Sequence, residues 1–266
     1  MESENLNQHT PDAEDILNEA QRRIKERMQQ QVPPRRRTLV KKLNRLVFWL
    51  ARHWLAVFNT LTGLFLGGAL LAPVLLKIGL SGMAHLLYMI YARVCHQYPF
   101  RSWFFFGPHM AYPLTNPIHI VAMNKLSDFN GDAQIGYKTA LCQRDIAIYG
   151  CILLAGLLYG VLRTGKRPRP WPMWQYFIFG ILPMLLDGGI QWLSYFMWVF
   201  FPSLIPEPFE TTPLMRTLTG IFFGVGIVAT AYPYLNEYFE DVYHTLQRKF
   251  SEADIPWEVT AHDTTC

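Results

Sequence analysis

The stretch that decides the fold is residues 171–206, which read WPMWQYFIFGILPMLLDGGIQWLSYFMWVFFPSLIP and carry one charged side chain, Asp187. A helix needs about 20 consecutive, largely apolar residues to cross the hydrocarbon core of a bilayer. Residues 146–162 contain no charge at all. A buried core helix could explain one such run, but several in a chain of 266 residues would leave a water-soluble fold too little polar surface. We therefore predict an all-α, polytopic membrane helix bundle.

About four spanning helices are predicted, at residues 53–76, 146–162, 174–199 and 214–232. Three of them contain two glycines separated by three residues, a spacing that lets helix backbones approach closely in a membrane. We therefore expect closely packed helices rather than a loose array. The glycine pairs are Gly63 and Gly67, Gly156 and Gly160, and Gly220 and Gly224.

The orientation follows from the distribution of basic residues. Residues 35–52 hold seven basic and no acidic side chains, and the loop at 163–170 holds four basic ones. Because Lys and Arg concentrate on the cytoplasmic side, both segments are predicted to lie on the cytoplasmic side of the cell membrane, and both termini are predicted to be cytoplasmic. An even number of crossings must separate the two segments. The apolar stretch 80–94 is therefore predicted to be a re-entrant or interfacial helix, with residues 80–145 on the outer face.

Three regions are predicted on this topology: cytoplasmic residues 1–52, a membrane domain at 53–236 and a cytoplasmic tail at 237–266. The first contains an amphipathic helix and then the basic juxtamembrane segment, which favours anionic lipid. The first thirty residues lack the apolar run of a signal peptide, so insertion is expected to begin at the first span. Residues 98–141 are rich in Pro, Gly and aromatic residues and predict ordered loops, with one short helix near 118–123.

Four polar motifs stand out against the apolar background. They read CHQYPFRS at 95–102, CQRDIAIYG at 142–150, PMLLDGGIQ at 183–191 and RTLTGIFFG at 216–224. In this order they resemble domain-of-unknown-function family 2085, predicted membrane proteins of bacteria and archaea. The resemblance covers about residues 90–230, departs at 103–141, which looks like an insertion, and implies no established activity. On the family pattern fall Cys95, His96, Arg101, Ser102, Cys142, Arg144, Asp187, Gln191, Arg216 and Gly220.

The two outer cysteines have competing interpretations. A Cys95–Cys142 disulfide would attach the 80–94 helix to the second span, in a compartment where thiols tend to be oxidised. A metal site is the alternative, because Cys95, His96 and Cys142 offer ligands that suit Zn or Cu. Redox chemistry of the thiols, or packing alone, is a third interpretation. In a metal site the fourth ligand would come from His85, His109, His119 or Asp145.

Asp187 is the informative residue inside the spans. A carboxylate near the middle of a bilayer costs a few kcal/mol, so we expect it to face the bundle interior with a cationic partner. Arg144 or Arg216 would be that partner, with Gln191 between them. Asp187 is then either a polar lock between helices or a catalytic acid or base, and the sequence leaves both open.

Three arginines, Arg101, Arg144 and Arg216, are expected near the outer face beside Gln97 and Ser102. Guanidinium groups bind phosphate in a forked geometry, so a lipid phosphate is one predicted ligand. Simple contact with lipid headgroups, or pairing with Asp145, is the alternative.

Two function classes remain. The first is a membrane enzyme or metal-handling protein with a polar Cys/His/Arg/Asp site, and the second is a non-catalytic structural subunit of a membrane complex. A transporter is less well supported, because so few spans offer no clear inverted repeat. No Gly-x-x-x-x-Gly-Lys-Ser/Thr loop is present, which argues against nucleotide chemistry. The expected partners are the lipid bilayer, anionic or phosphate-bearing lipid and other membrane subunits, but no nucleic acid.

Overall fold

The computed structural model describes residues 17–23, 34–112, 129–165, 167–204 and 207–252. Four of the helices in these ranges are long and apolar enough to cross a membrane, so the prediction of an all-α bundle with about four spans is confirmed. Residues 17–23, within the predicted N-terminal amphipathic helix, are also helical, and the rest of that predicted helix lies outside the described residues. From Pro34 onward the α-helices are α1 (Pro34–Lys77), the short α2 (Ser81–Tyr91), α3 (Gln143–Leu162), α4 (Met173–Phe200, including a π-helical turn at Phe177–Ile181) and α5 (Pro213–Glu252).

The first and last spanning helices are longer than hydropathy predicts. Helix α1 begins at Pro34, where the fixed φ of proline and its missing N–H suit the first helical turn. The basic segment 35–52 continues the same helix instead of forming a separate linker. Phe48 of α1 stacks on Tyr243 of α5, with ring centroids 4.7 Å apart. The two helices therefore support each other beyond their apolar windows.

Helix α2 is too short to cross the bilayer. Its 11 residues rise about 16 Å, roughly half the thickness of the hydrocarbon core. Its buried face, which includes Ala84 and Tyr88, packs against Ala69 and Ala72 of α1. The short length agrees with the prediction of a re-entrant or interfacial helix at 80–94.

A small antiparallel sheet follows α2, and here the prediction of loops over 98–141 was wrong. Its strands are β1 (Ser102–Phe105), β2 (Gly131–Asp132) and β3 (Gly136–Cys142), in the order β1-β3-β2. Gly131 has a φ of 92°, and a Cβ there would lie 2.0 Å from the carbonyl oxygen of Gly136, so this tight turn requires glycine. The helix predicted near 118–123 lies outside the described residues.

The predicted glycine pair on α5 brings α3 and α5 into backbone contact. A Cβ on Gly220 would lie 2.8 Å from the carbonyl oxygen of Arg144, and one on Gly224 would lie 2.6 Å from that of Ile148. Only hydrogen fits at these two positions, as expected for a close helix crossing.

The other glycine pairs differ from one another. On α3, a Cβ at Gly156 would lie 2.3 Å from Oδ1 of Asn59, and one at Gly160 would lie 3.3 Å from Leu55, both on α1. On α1, Gly63 has ordinary contact with Leu153, and Gly67 has no neighbouring atom within 4 Å of a built Cβ. Gly67 therefore has no packing role among the described residues.

Candidate thiol and carboxylate site

The two cysteines that were predicted on the outer face are brought together by the sheet. Cys95 follows α2, and its N–H donates to the carbonyl oxygen of Tyr91 at 2.9 Å. Cys142 ends β3 and caps α3, where its sulfur accepts the N–H of Asp145 at 3.5 Å. Because β3 pairs with β1 in a register that places Cys142 opposite Ser102, the start of α3 lies against the segment after α2.

Three potential ligands meet at this point. The sulfurs of Cys95 and Cys142 and a carboxylate oxygen of Asp145 all lie within 4.8 Å of one another. Both cysteines are free thiols in the structure. Among the described residues the Asp145 carboxylate accepts no hydrogen bond and forms no ion pair. Two thiols and one carboxylate are a donor set that suits zinc.

A hydrogen bond between the two thiols couples their ionisation. The hydrogen bond from Cys142 lowers the pKa of the Cys95 thiol below its ordinary value. The hydrogen bond to Cys95 and burial raise the pKa of Cys142 well above its ordinary value. The pair therefore releases a first proton easily and a second one with difficulty. A metal cation would remove that difficulty, because it stabilises both thiolates at once.

The histidines do not join this cluster. His96 is exposed, and its ring stacks on Tyr98 with centroids 5.6 Å apart. His85 points to the carbonyl oxygen of Ser81, 2.6 Å from its Nδ1, and His109 is also exposed. His119 lies outside the described residues. Of the candidate fourth ligands, the structure brings Asp145 to the two cysteines, and it keeps His96 of the predicted set away from them.

Two buried polar side chains hold the loop that carries Cys95. Gln97 has a positive φ of 54°, and its Nε2 donates to the carbonyl oxygen of Tyr88 at 2.8 Å. Lys138 of β3 is fully buried and donates through Nζ to the carbonyl oxygen of Gln97 at 2.8 Å. The role of Lys138 could not be predicted from the sequence, because a lysine in a region predicted as loop carries no signal of burial.

A second polar cluster is built on Glu210, whose side chain is 10% exposed. The guanidinium of Arg101 donates to Glu210 through Nη2 at 2.5 Å and Nε at 3.2 Å. The Tyr195 hydroxyl donates to it at 2.5 Å, and Gln191 and Arg216 also donate to it. Glu210 could not be predicted from the sequence, since it lies in the proline-rich α4–α5 loop and no spacing relates it to the arginines.

Arg216 links this cluster to the sheet. It is 2% exposed, and its Nη1 donates to the carbonyl oxygen of Phe100 at 3.0 Å and to Oε1 of Gln143 at 3.3 Å. Gln143 in turn donates through Nε2 to the carbonyl oxygen of Ser102 at 3.1 Å. The predicted residues Arg101, Ser102, Gln191 and Arg216 thus belong to one buried network.

Asp187 lies in a separate pair. Arg144 donates a hydrogen bond to its carboxylate, and the hydroxyl of Thr219 lies 3.4 Å from the same oxygen. Of the two predicted partners the structure selects Arg144, while Gln191 contacts Glu210 instead of bridging to Asp187. All three predicted arginines are therefore engaged by carboxylates, so the geometry does not favour a lipid phosphate here.

Comparison with known proteins agrees with the membrane fold. Residues 134–230 match the model of the family described as predicted membrane protein, domain of unknown function 2085, which confirms the resemblance over that part of the chain. The motif around Cys95 precedes the matched segment. An uncharacterized protein of Methanocaldococcus jannaschii is 26% identical over 160 residues, which cover 59% of this chain and 71% of that relative. No solved structure matches the chain.

Proposed function

We propose that this integral membrane protein binds a thiophilic metal ion, Zn²⁺ or a copper ion, through Cys95, Cys142 and Asp145. The observation that carries the proposal is the separation of the three ligand atoms, all within 4.8 Å of one another. Ligands placed tetrahedrally around zinc at about 2.3 Å lie about 3.8 Å apart. Small side-chain rotations therefore suffice to close the site around an ion.

Charge balance supports a cation at this place. Two thiolates and a carboxylate carry three negative charges when ionised, and grouping like charges in a partly buried site is unfavourable without compensation. Two arginines at the start of α3 are engaged elsewhere: Arg144, which precedes Asp145, pairs with Asp187, and Arg216, which contacts Gln143, pairs with Glu210. A metal ion would supply the missing positive charge.

Three protein ligands would leave one coordination position open. Zinc sites with three protein ligands keep a water molecule or a substrate in the fourth position, whereas structural sites are closed by four. An enzyme or a metal-handling protein fits this arrangement better than a purely structural zinc site does.

We place this site on the outer face of the cell membrane, with both termini in the cytoplasm. It lies at the N-terminal end of α3, and the basic loop that begins at Arg163 follows the C-terminal end. The 20 residues of α3 rise about 30 Å, the thickness of the hydrocarbon core. The cysteines and the basic loop are therefore at opposite membrane surfaces, and the positive-inside rule assigns the loop to the cytoplasm.

The test is metal analysis of the full chain purified in detergent without a chelator. We expect about one zinc or copper per chain, because the described residues contain one cluster of three potential ligands, and loss of that metal in Cys95→Ser and Cys142→Ser. Asp145→Asn should weaken retention. Cys151→Ser is the matched control, because Cys151 is a free thiol within α3 and outside the cluster. Cobalt added to the apoprotein should give thiolate charge-transfer absorption that depends on both cluster cysteines.

The second candidate is a non-catalytic subunit in which Cys95 and Cys142 form a disulfide. The same proximity of the two sulfurs favours it. Counting thiols under denaturing conditions without reductant separates the two candidates. A Cys95–Cys142 bridge in metal-free protein would remove the metal proposal, whereas two free thiols with bound metal would remove the disulfide.

A further inference from the structure

A polar cavity opens at the end of the bundle opposite the cysteines. It has a volume of about 490 Å³ and lies between α1, the α3–α4 loop and α5. Its walls carry charges of both signs. The charged groups are the guanidiniums of Arg52, Arg163 and Arg167 and the carboxylates of Glu237 and Glu240.

Only some of these charged groups form hydrogen bonds or ion pairs within the protein. Arg163 donates to Oδ1 of Asn236 at 3.1 Å, and Arg167 pairs with Glu240 at 3.4 Å. The second pair is weak, because the Arg167 side chain is 85% exposed. Within the described ranges, Arg52 and Glu237 form no ion pair. A guanidinium and a carboxylate are therefore both available in one cavity.

An apolar groove lies next to this cavity. It has a volume of about 480 Å³, and its lining includes Met173, Tyr176, Ile227 and Leu235. Tyr234 lines both the cavity and the groove. A charged cavity beside an apolar groove has the two halves of a phospholipid site, one for a headgroup and one for an acyl chain.

Exposed aromatic side chains around the start of α4 place this end of the bundle at the level of lipid headgroups. Trp171 and Trp174 are 40% and 60% exposed, and Trp and Tyr are enriched where a bilayer meets water. Trp54 and Tyr159 line the cavity itself. Both rings also belong to the buried cluster that joins α1, α3 and α5, so the walls are held by the bundle itself. The site does not depend on the metal proposal.

We infer that this cavity binds one zwitterionic aminophospholipid, a phosphatidylethanolamine. The phosphate would be held by Arg52 and Arg163, the ammonium by Glu237, and an acyl chain would occupy the groove beyond Tyr234. Charge complementarity selects this class of lipid. A lipid with only a negative headgroup would leave the carboxylates facing a like charge, and the quaternary ammonium of phosphatidylcholine has no N–H to donate.

The test uses the full chain in detergent micelles doped with one lipid at a time. The lipids are phosphatidylethanolamine, phosphatidylcholine and phosphatidylglycerol with the same acyl chains, and bound lipid is counted by native mass spectrometry. We expect phosphatidylethanolamine to be retained about threefold to fivefold more than the others, as one added charged contact at a partly exposed site would give. Equal retention of all three, or a preference for phosphatidylglycerol, would overturn the inference.

Two variants divide the headgroup contacts. Glu237→Gln should reduce the preference for phosphatidylethanolamine over phosphatidylcholine to about one, while Arg52→Gln should weaken retention of all three lipids about threefold. Arg45→Gln is the matched control, because Arg45 is exposed on the same helix and does not line the cavity. If Glu237→Gln keeps the full preference, Glu237 does not hold the ammonium and the proposed headgroup arrangement is wrong. If water-soluble glycerophosphoethanolamine displaces the lipid at equal concentration, the site is not a phospholipid site.

Discussion

Arg144 of α3 and Asp187 of α4 form an ion pair inside the helix bundle, with their side chains 17% and 9% exposed. The hydroxyl of Thr219 on α5 lies 3.4 Å from the same carboxylate, so three helices meet at one oxygen. A Cβ on Gly188 would lie 3.1 Å from Nη1 of Arg144. The glycine after the aspartate thus leaves room for the guanidinium, and the arrangement has the properties of a polar lock.

The first prediction concerns this lock. Asp187→Asn should lower the free energy of unfolding by about 3 kcal/mol, because it leaves a buried guanidinium without its counterion. Thermal unfolding in detergent measures the loss. The double variant Asp187→Leu with Arg144→Met should recover most of the stability, since it removes both charges together. If Asp187→Asn unfolds at the temperature of the unsubstituted chain, Asp187 is not a lock and a chemical role becomes the better interpretation.

The second prediction concerns the closest helix crossing. Gly220→Ala should destabilise the bundle by about 1–3 kcal/mol, because its Cβ would lie 2.8 Å from the carbonyl oxygen of Arg144 and 2.9 Å from the Cβ of Ala147. Gly67→Ala is the matched control, since nothing lies within 4 Å of a Cβ there. The control should be neutral or slightly stabilising, as expected for Ala in place of Gly within a helix. Equal melting temperatures for the two variants would argue against backbone contact between α3 and α5.

The third prediction concerns the Glu210 network. Glu210→Gln should lower the free energy of unfolding by about 3 kcal/mol, because Arg101 and Arg216 would share an uncharged acceptor in a buried setting. Glu207→Gln is the control, since Glu207 is exposed in the same loop. Chemical denaturation of both variants, compared with the unsubstituted chain, provides the measurement. A larger effect for Glu207 than for Glu210 would contradict the network.

The fourth prediction concerns the thiol pair in metal-free protein. The hydrogen bond from Cys142 lowers the pKa of Cys95, so the thiolate forms at lower pH and alkylation should begin at lower pH than for an ordinary cysteine. Cys142→Ala should move the alkylation profile to higher pH. Asp145→Asn should move it to lower pH, because the Asp145 charge raises the pKa of Cys95.

The measurement for this fourth prediction is the rate of iodoacetamide labelling against pH. Cys151 and Cys266 are replaced in every variant, so that Cys95 and Cys142 alone react. A profile that is the same with and without Cys142 would show that the two thiols do not share a hydrogen bond.

Some features of the site could be predicted because they depend on local sequence. An aspartate within a long apolar run, as at Asp187, must have a partner in a membrane, and Arg144 was among the two candidates named. Cysteine motifs at either end of one predicted outer segment indicated that Cys95 and Cys142 would be near each other. Glu210 carried no such signal, because its four donors come from segments separated by 6 to 109 residues along the chain.

The sheet shows the same limit. Strands β1 and β3 are short and far apart in sequence, and residues 113–128 between them lie outside the described ranges. A region rich in Pro and Gly predicts loops whenever no pairing partner is visible. The register of two paired strands depends on both of them. The pairing of Ser102 with Cys142 could therefore not be inferred from either strand alone.

The amino-acid sequence alone predicted the lipid surroundings, the number of helices long enough to cross a membrane and close packing at Gly220 and Gly224. Transfer of a side chain from water to oil depends on that side chain and its helical neighbours, and this information is local. Only the tertiary structure decided that Asp145, and not His96, joins the two thiols, and that Arg216 faces Glu210 and not Asp187. Those choices depend on directions and distances between helices, which arise when all the surfaces pack at once.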